Sequence, residues 1–259
     1  MHTRNDWDLS TVNLHRLREL SYEVAVLPTG ATEPHNLHLP CGQDTLAAVE
    51  IARRCVGAAW EKTRSVVLLP GLPYGVDCNL MAYPMAIHVS QATLDAMIRE
   101  IVTSLRHHGI RKVVLFNGHG GNGFAPLVRQ LQCDLDVHLF TCNWWEVGHD
   151  QYNTFFTNRD DHAGEMETSV SLTIHPELVD LELAKDGHAR PFRFEALRNG
   201  WAKTSRSFAR VNDHCAVGDP RQATADKGRA YLELTCQRIT DFLVELAQAE
   251  VDESFPQVN

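Results

Sequence analysis

The sequence predicts an α/β fold in which a mostly parallel sheet is covered by helices on both faces. Three observations point there. Four short aliphatic runs, Val24–Leu27, Val66–Leu69, Val113–Phe116 and Val137–Thr141, are apolar at nearly every position, as strands buried on both faces are. Longer helical patterns alternate with these runs, and strand–helix alternation makes a parallel sheet. Pro and Gly cluster just past the strands, so polar residues fall on loops beyond the strands' carboxyl ends, where α/β sheets build their sites. At 259 residues and 44% hydrophobic, the chain can bury the core of one large α/β domain or two small ones.

In order, the first strand is stopped by Pro28, Gly30 and Pro34, and a helix is expected over Thr45–Val56. Further helices are expected over Gln91–His107, Gly123–Gln132, Gly164–Thr173 and Ala223–Leu246. The irregular stretches Gly71–Val89 and Asp186–Asp219 are long enough to carry function or intersubunit contact. No repeat or low-complexity linker interrupts this pattern.

A net charge of −9 argues against a nucleic-acid or anionic-membrane surface. Seven scattered Cys without a C-x-x-C pair read as reduced thiols of a cytoplasmic protein. The N-terminal MHTRNDWDLSTVNL has no apolar signal core, and no stretch is apolar enough to span a membrane.

Three stretches carry the chemistry. Leu27–Asp44 holds Glu33, His35, His38 and Asp44. Glu33 and His35, two apart, point to one side in extended backbone, and Asp44 at the next helix can reach back to them. Two carboxylates and an imidazole suit Zn²⁺, Mn²⁺ or Fe²⁺; the plain alternative is an N-capping Asp44 among solvated loop residues. Lys112–Gly123 (KVVLFNGHGGNG) brings His119 and Asn122 into a glycine loop. It also satisfies G-x-G-x-x-G, but the next strand ends in Cys142, Asn143 and Trp144 rather than a ribose-binding acid, so glycines that admit His119 are the preferred reading. Asp160–Ser171 opens a helix with His162, Glu165 and Glu167. His162 and Glu165, three apart, would share a helix face, though the same pair resembles a capping box. Trp144 and Trp145 either wall a pocket or fill core.

Together these motifs resemble the creatininase (creatinine amidohydrolase) family: Glu33-Pro34-His35 with Asp44, Asn117-Gly118-His119, and His162-Ala163-Gly164-Glu165-Met166-Glu167-Thr168-Ser169. They fit in order along Leu27–Leu178, somewhat over half the chain. The resemblance implies a single domain over 1–259, a three-layer α/β/α sandwich, two divalent metal ions (Zn, Mn or Fe) and hydrolysis of a C–N bond in a small cyclic amide or formamide. It also implies a homo-oligomer, commonly a hexamer. Related reactions trim peptides or open a cyclic ketone.

The sequence departs from that pattern at Gly121, where creatininases place a metal-binding Glu, and the resemblance suggests Glu165 as the replacement. Glu33, Asp44 and His119 would then hold one ion and His35, Asp44 and Glu165 the other, with Asp44 shared. A water between two dications ionises near neutral pH, and His162 is expected to move protons. Pro34, Asn36 and Leu37 also differ from the usual Gln, Gly and Pro. Asn158 and Arg159 replace a Trp-Asp pair, and Gly120-Gly121 a Tyr-Glu pair. Creatinine is therefore expected to be a poor substrate, and one with a carboxylate or a polyhydroxylated ring a better one. The rival classes are a nucleotide-cofactor enzyme built on the glycine loop and a non-catalytic metal scaffold.

Overall fold

A computed structural model describes residues 5–257. Its elements run α1 (Leu14–Leu17), β1 (Val24–Thr29), α2 (Gln43–Thr63), β2 (Val66–Leu68), α3 (Gln91–His107), β3 (Lys112–Asn117), α4 (Ala125–Asp134), β4 (His138–Asn143), α5 (Tyr152–Phe155), α6 (Glu165–Ile174), α7 (Glu195–Arg198) and α8 (Ala225–Gln248). The four strands form one parallel sheet in the order β2-β1-β3-β4. The five longer helices stand where the sequence places them, within two residues at their starts; α2 runs seven residues beyond the expected Val56.

Alternation along each strand feeds two cores. Val24, Val26, Val114 and Phe116 face the side covered by α2, α6 and α8, whose Ile51, Val170, Tyr231 and Leu243 complete that core. Ala25, Leu27, Val113 and Leu115 face the other side, where α3 presents Leu94, Ile98 and Val102 and α4 presents Leu127 and Leu131. This is the three-layer α/β/α sandwich. The α3 spacing of four and eight residues keeps its apolar side chains on one stripe, and Ser90 caps the helix by accepting from Thr93 N–H at 3.2 Å.

Two close approaches place the layers. A Cβ on Gly228 of α8 would lie 1.9 Å from the Ser169 carbonyl oxygen of α6, so only glycine lets these helices meet. Lys112 at the start of β3 is buried and ties down the end of α8, its Nζ donating to the carbonyls of Leu246 (3.0 Å) and Ala249 (2.6 Å). β1 and β3 run in register to their carboxyl ends, Thr29 beside Asn117. The loops leaving both strands therefore emerge side by side.

Candidate metal centre

β1 runs out at Thr29, and the loop behind it folds Glu33 and His35 inward until both are almost wholly buried. His35 Nδ1 is held 3.0 Å from its neighbour's backbone, the Glu33 carbonyl, which turns Nε2 toward the start of α2. Asp44 is the second residue of α2 and caps nothing; its carboxylate turns into the site. One oxygen, Oδ1, lies 2.9 Å from His35 Nε2, and the other, Oδ2, lies 2.9 Å from His119 Nδ1.

His119 arrives from β3 through a turn built by Asn117. Asn117 Oδ1 accepts from His119 N–H at 3.1 Å, and its Nδ2 donates to the His119 carbonyl at 2.9 Å. Glycine is required at two places in this turn. A Cβ on Gly118 would fall 2.4 Å from the Asp44 carbonyl, and one on Gly121 would fall 2.3 Å from His119 Nε2. Both glycines are thus filled by the site's own atoms, which fits the reading that they admit His119. Asn122 donates to Asn117 Oδ1 and accepts from Val76 N–H, fastening the 71–89 loop to the turn.

That loop supplies a carboxylate which the sequence reading did not single out. Asp77 is fully buried, with Oδ1 3.0 Å from His119 Nε2, while His119 Nδ1 lies 3.2 Å from Glu33 Oε1. The only signal available was its position in a long irregular loop of predicted functional character.

The third stretch corrects an expectation. His162 is not on the helix: it bridges Val217 in extended backbone, Ala163 is left-handed (φ 53°), and α6 begins at Glu165. The shared helix face of His162 and Glu165 therefore does not exist. Glu165 instead turns away from the other site residues, accepting from the N–H groups of Thr157 (2.9 Å) and Asn158 (3.0 Å) and pairing with Lys227. Glu167, two positions on and so roughly on the opposite side of the helix, joins His35 and Asp44 as a group spaced to hold an ion. The other such groups are Glu33, Asp77, His119 and Glu33, His35, His162.

Burial and mutual charge set the electrostatics. Burial, reinforced by Asp44, raises the Glu33 carboxyl to about 8, and burial raises Glu167 to about 7. For His35, burial opposes the charge but Asp44 outweighs it, raising the imidazole to about 10. Burial also works against the Asp44 charge; His35 and His119 overcome it and hold that carboxyl far below the usual range. His162 behaves oppositely: burial, and then the charge of His35 stacked at 4.2 Å between ring centroids, push it well below its ordinary value and keep it neutral. Its Nε2 lies 2.9 Å from the Pro34 carbonyl, which can only accept, so Nε2 carries the proton and Nδ1 a free lone pair. That lone pair sits 3.7 Å from Glu33 Oε1.

The donor set fits divalent cations. Glu33 Oε2 and Asp77 Oδ2 are buried without a partner, and His35 Nε2, Asp44 Oδ2 and Asp77 Oδ1 meet only the close contacts given above, none of them aligned as a hydrogen bond. Orphaned buried polar atoms cost about 1–3 kcal/mol each, and a shared cation satisfies them together. Around them lies a cavity of about 630 Å³, walled by Trp145, Tyr152, Arg159, Arg206 and Phe208 among others. Trp145 is thus a wall residue, whereas Trp144 is core. His38 is buried behind the centre, Nε2 2.8 Å from Thr168 Oγ1. The 186–219 stretch closes one side, with the Phe208 ring 5.0 Å from that of His162 and the Cys215 carbonyl accepting from Asn36 N–H.

A family profile described as creatininase, creatinine amidohydrolase, matches residues 9–243. The chain belongs to the creatininase family. It is accordingly a metal-dependent hydrolase. A solved structure assigned to creatinine amidohydrolase from Bacteroides fragilis superposes with a TM-score of 0.90 at 36% identity, over 96% of this chain and 99% of its own. A mycofactocin precursor peptide peptidase from Mycobacterium ulcerans is 31% identical over 79% of this chain and 78% of its own length. The creatinine amidohydrolase of Pseudomonas putida is 27% identical over 86% and 89%.

Proposed function

We propose that the protein is a binuclear amidohydrolase that cleaves the C–N bond of a small cyclic amide or formamide. The observation that carries this is Asp44: buried, with one oxygen turned to His35 and the other to His119. A carboxylate so placed is suited to be shared between two cations. Glu33, Asp44 and His119 would hold one ion, with Asp77 against the far nitrogen of His119; His35, Asp44 and Glu167 would hold the other. Zn²⁺, Mn²⁺ and Fe²⁺ all suit this mix of imidazole and carboxylate. When bound, such cations acidify water and polarise a carbonyl.

The chain's own groups do the rest. His162, neutral and with a free Nδ1 lone pair, takes a proton from the attacking water and passes it to the departing nitrogen. The water oxygen ends on the carbonyl carbon, the C–N bond breaks, and the amine leaves neutral. Trp145, Tyr152 and Phe208 wall the cavity where the substrate would lie. The relatives act on unlike amides, a creatinine ring and a peptide by their names, and the Asn158–Arg159 and Gly120–Gly121 replacements favour a substrate other than creatinine. Asp44→Ala tests the centre: it should remove both ions by elemental mass spectrometry and abolish hydrolysis. Wild-type metal content in that variant would refute the shared-ligand assignment.

We also propose a homo-oligomer, supported by the apolar groups left at the surface: Tyr74, Met81 and Met85 of one loop, Phe194 and Trp201 of another.

A further inference from the structure

Residues 157–161 join α5 to α6 along the edge of the cavity, and two carboxylates clamp this loop from either side of Arg159. Glu165, wholly buried, accepts from the Thr157 and Asn158 N–H groups and is held by Lys227 of α8. Asp160 accepts from the Tyr152 hydroxyl at 2.6 Å and from Met166 N–H at 2.8 Å. It is boxed in as well: a Cβ on Gly164 or Gly218 would lie 2.1 or 2.4 Å from Asp160 Cβ. The backbone that presents Arg159 is therefore fixed to the same helix that carries Glu167.

The two arginines on the cavity wall differ. Arg206 is paired with Asp161, so its charge is compensated. Arg159 lines the cavity with no ion pair or hydrogen bond among the described residues.

We infer that Arg159 binds a carboxylate of the substrate, so that the amide hydrolysed is a small anionic one. This rests on the hydrolase reading above. A guanidinium offers a carboxylate two parallel N–H donors, a geometry that lysine cannot reproduce. Glu165 is the positioning residue: it touches no substrate and acts by holding the loop.

The test uses the metal-loaded protein and two matched pairs of probes, 5-oxoproline with 5-oxoprolinamide and N-formylglycine with N-formylglycinamide. Binding is measured by calorimetry and turnover alongside. The carboxylate member of a pair should be preferred by about tenfold or more in both Kd and kcat/KM, as a charge-assisted contact gives. Arg159→Gln should collapse that preference to about unity, and Arg159→Lys should keep part of it. Glu165→Gln should keep wild-type metal content and raise KM for the carboxylate probes far more than it lowers kcat. Equal handling of both members, or a preference that survives Arg159→Gln, overturns the inference and leaves the hydrolase reading standing. A metal-loaded protein that binds and cleaves none of the four counts against the hydrolase reading and carries this inference down with it.

Discussion

Two glutamates in one turn of α6 divide the labour of that turn, and single substitutions separate them. Glu167→Gln removes a charged donor beside His35 and Asp44 and should empty one metal position. Glu165→Gln should leave both filled, because its carboxylate faces Lys227 and backbone N–H groups. Elemental analysis of the two variants side by side checks the order, and metal loss in Glu165→Gln alone would reverse it. His162→Asn should retain both ions while kcat drops by roughly 10²–10⁴, the usual range for a lost proton shuttle; titrated metal content together with steady-state kinetics decides. The sequence presented Glu33, His35 and His119 because they lie on the loops that leave aliphatic strand ends, and Asp44 because it opens the helix that follows. It misled at Glu165, because the three-residue spacing from His162 means a shared face only inside a helix, and Ala163 and Gly164 break the backbone before α6 begins.

At the level of elements, the centre depends on how closely the β3 turn approaches α2. Gly118 sits against the first turn of α2, and a methyl group there would overlap the Asp44 carbonyl at 2.4 Å and Ala48 Cβ at 2.9 Å. Gly118→Ala should therefore force α2 and β3 apart, lowering stability by about 1–3 kcal/mol, the common cost of overpacking. It should also weaken metal retention, since Asp44 and His119 are carried by the two elements displaced. Chemical denaturation with and without metal reads both effects; an unchanged midpoint and metal content would show that the turn yields freely. Strand and helix positions were legible because burial on both sheet faces leaves unbroken aliphatic runs. The 71–89 and 186–219 stretches stood out only as irregular chain able to carry function; Asp77 and the wall residues within them had no period to mark them, and tertiary contacts, Val76 N–H to Asn122 and the His162–Val217 bridge, bring them to the site.

For the molecule as a whole, the crowding of ionisable groups predicts how stability follows pH. Without metal, the folded state holds protons on Glu33 (raised to about 8), Glu167 (about 7) and His35 (about 10) that the unfolded chain releases at lower pH. Each raised value contributes stability that is lost as pH climbs through it, so the metal-free Tm should fall from pH 7 to pH 9. Cations replace those protons, so the Tm gain on adding metal should grow over the same interval. Thermal melts at several pH values with chelator or excess metal measure this. A gain that shrinks with rising pH would exclude these groups as the ligands. No helix among the described residues is long and apolar enough to cross a membrane.

The Gly228–Ser169 contact sets a sequence of events during synthesis. Glu167 is presented by α6, and α6 is seated by α8, the last helix of the described chain to leave the ribosome. Glu33, His35 and Asp44 are made more than a hundred residues before Glu167 finds its place beside them. A nascent chain therefore exposes an incomplete set of donors until α8 has been made and has packed against α6, and only then is Glu167 held beside His35 and Asp44.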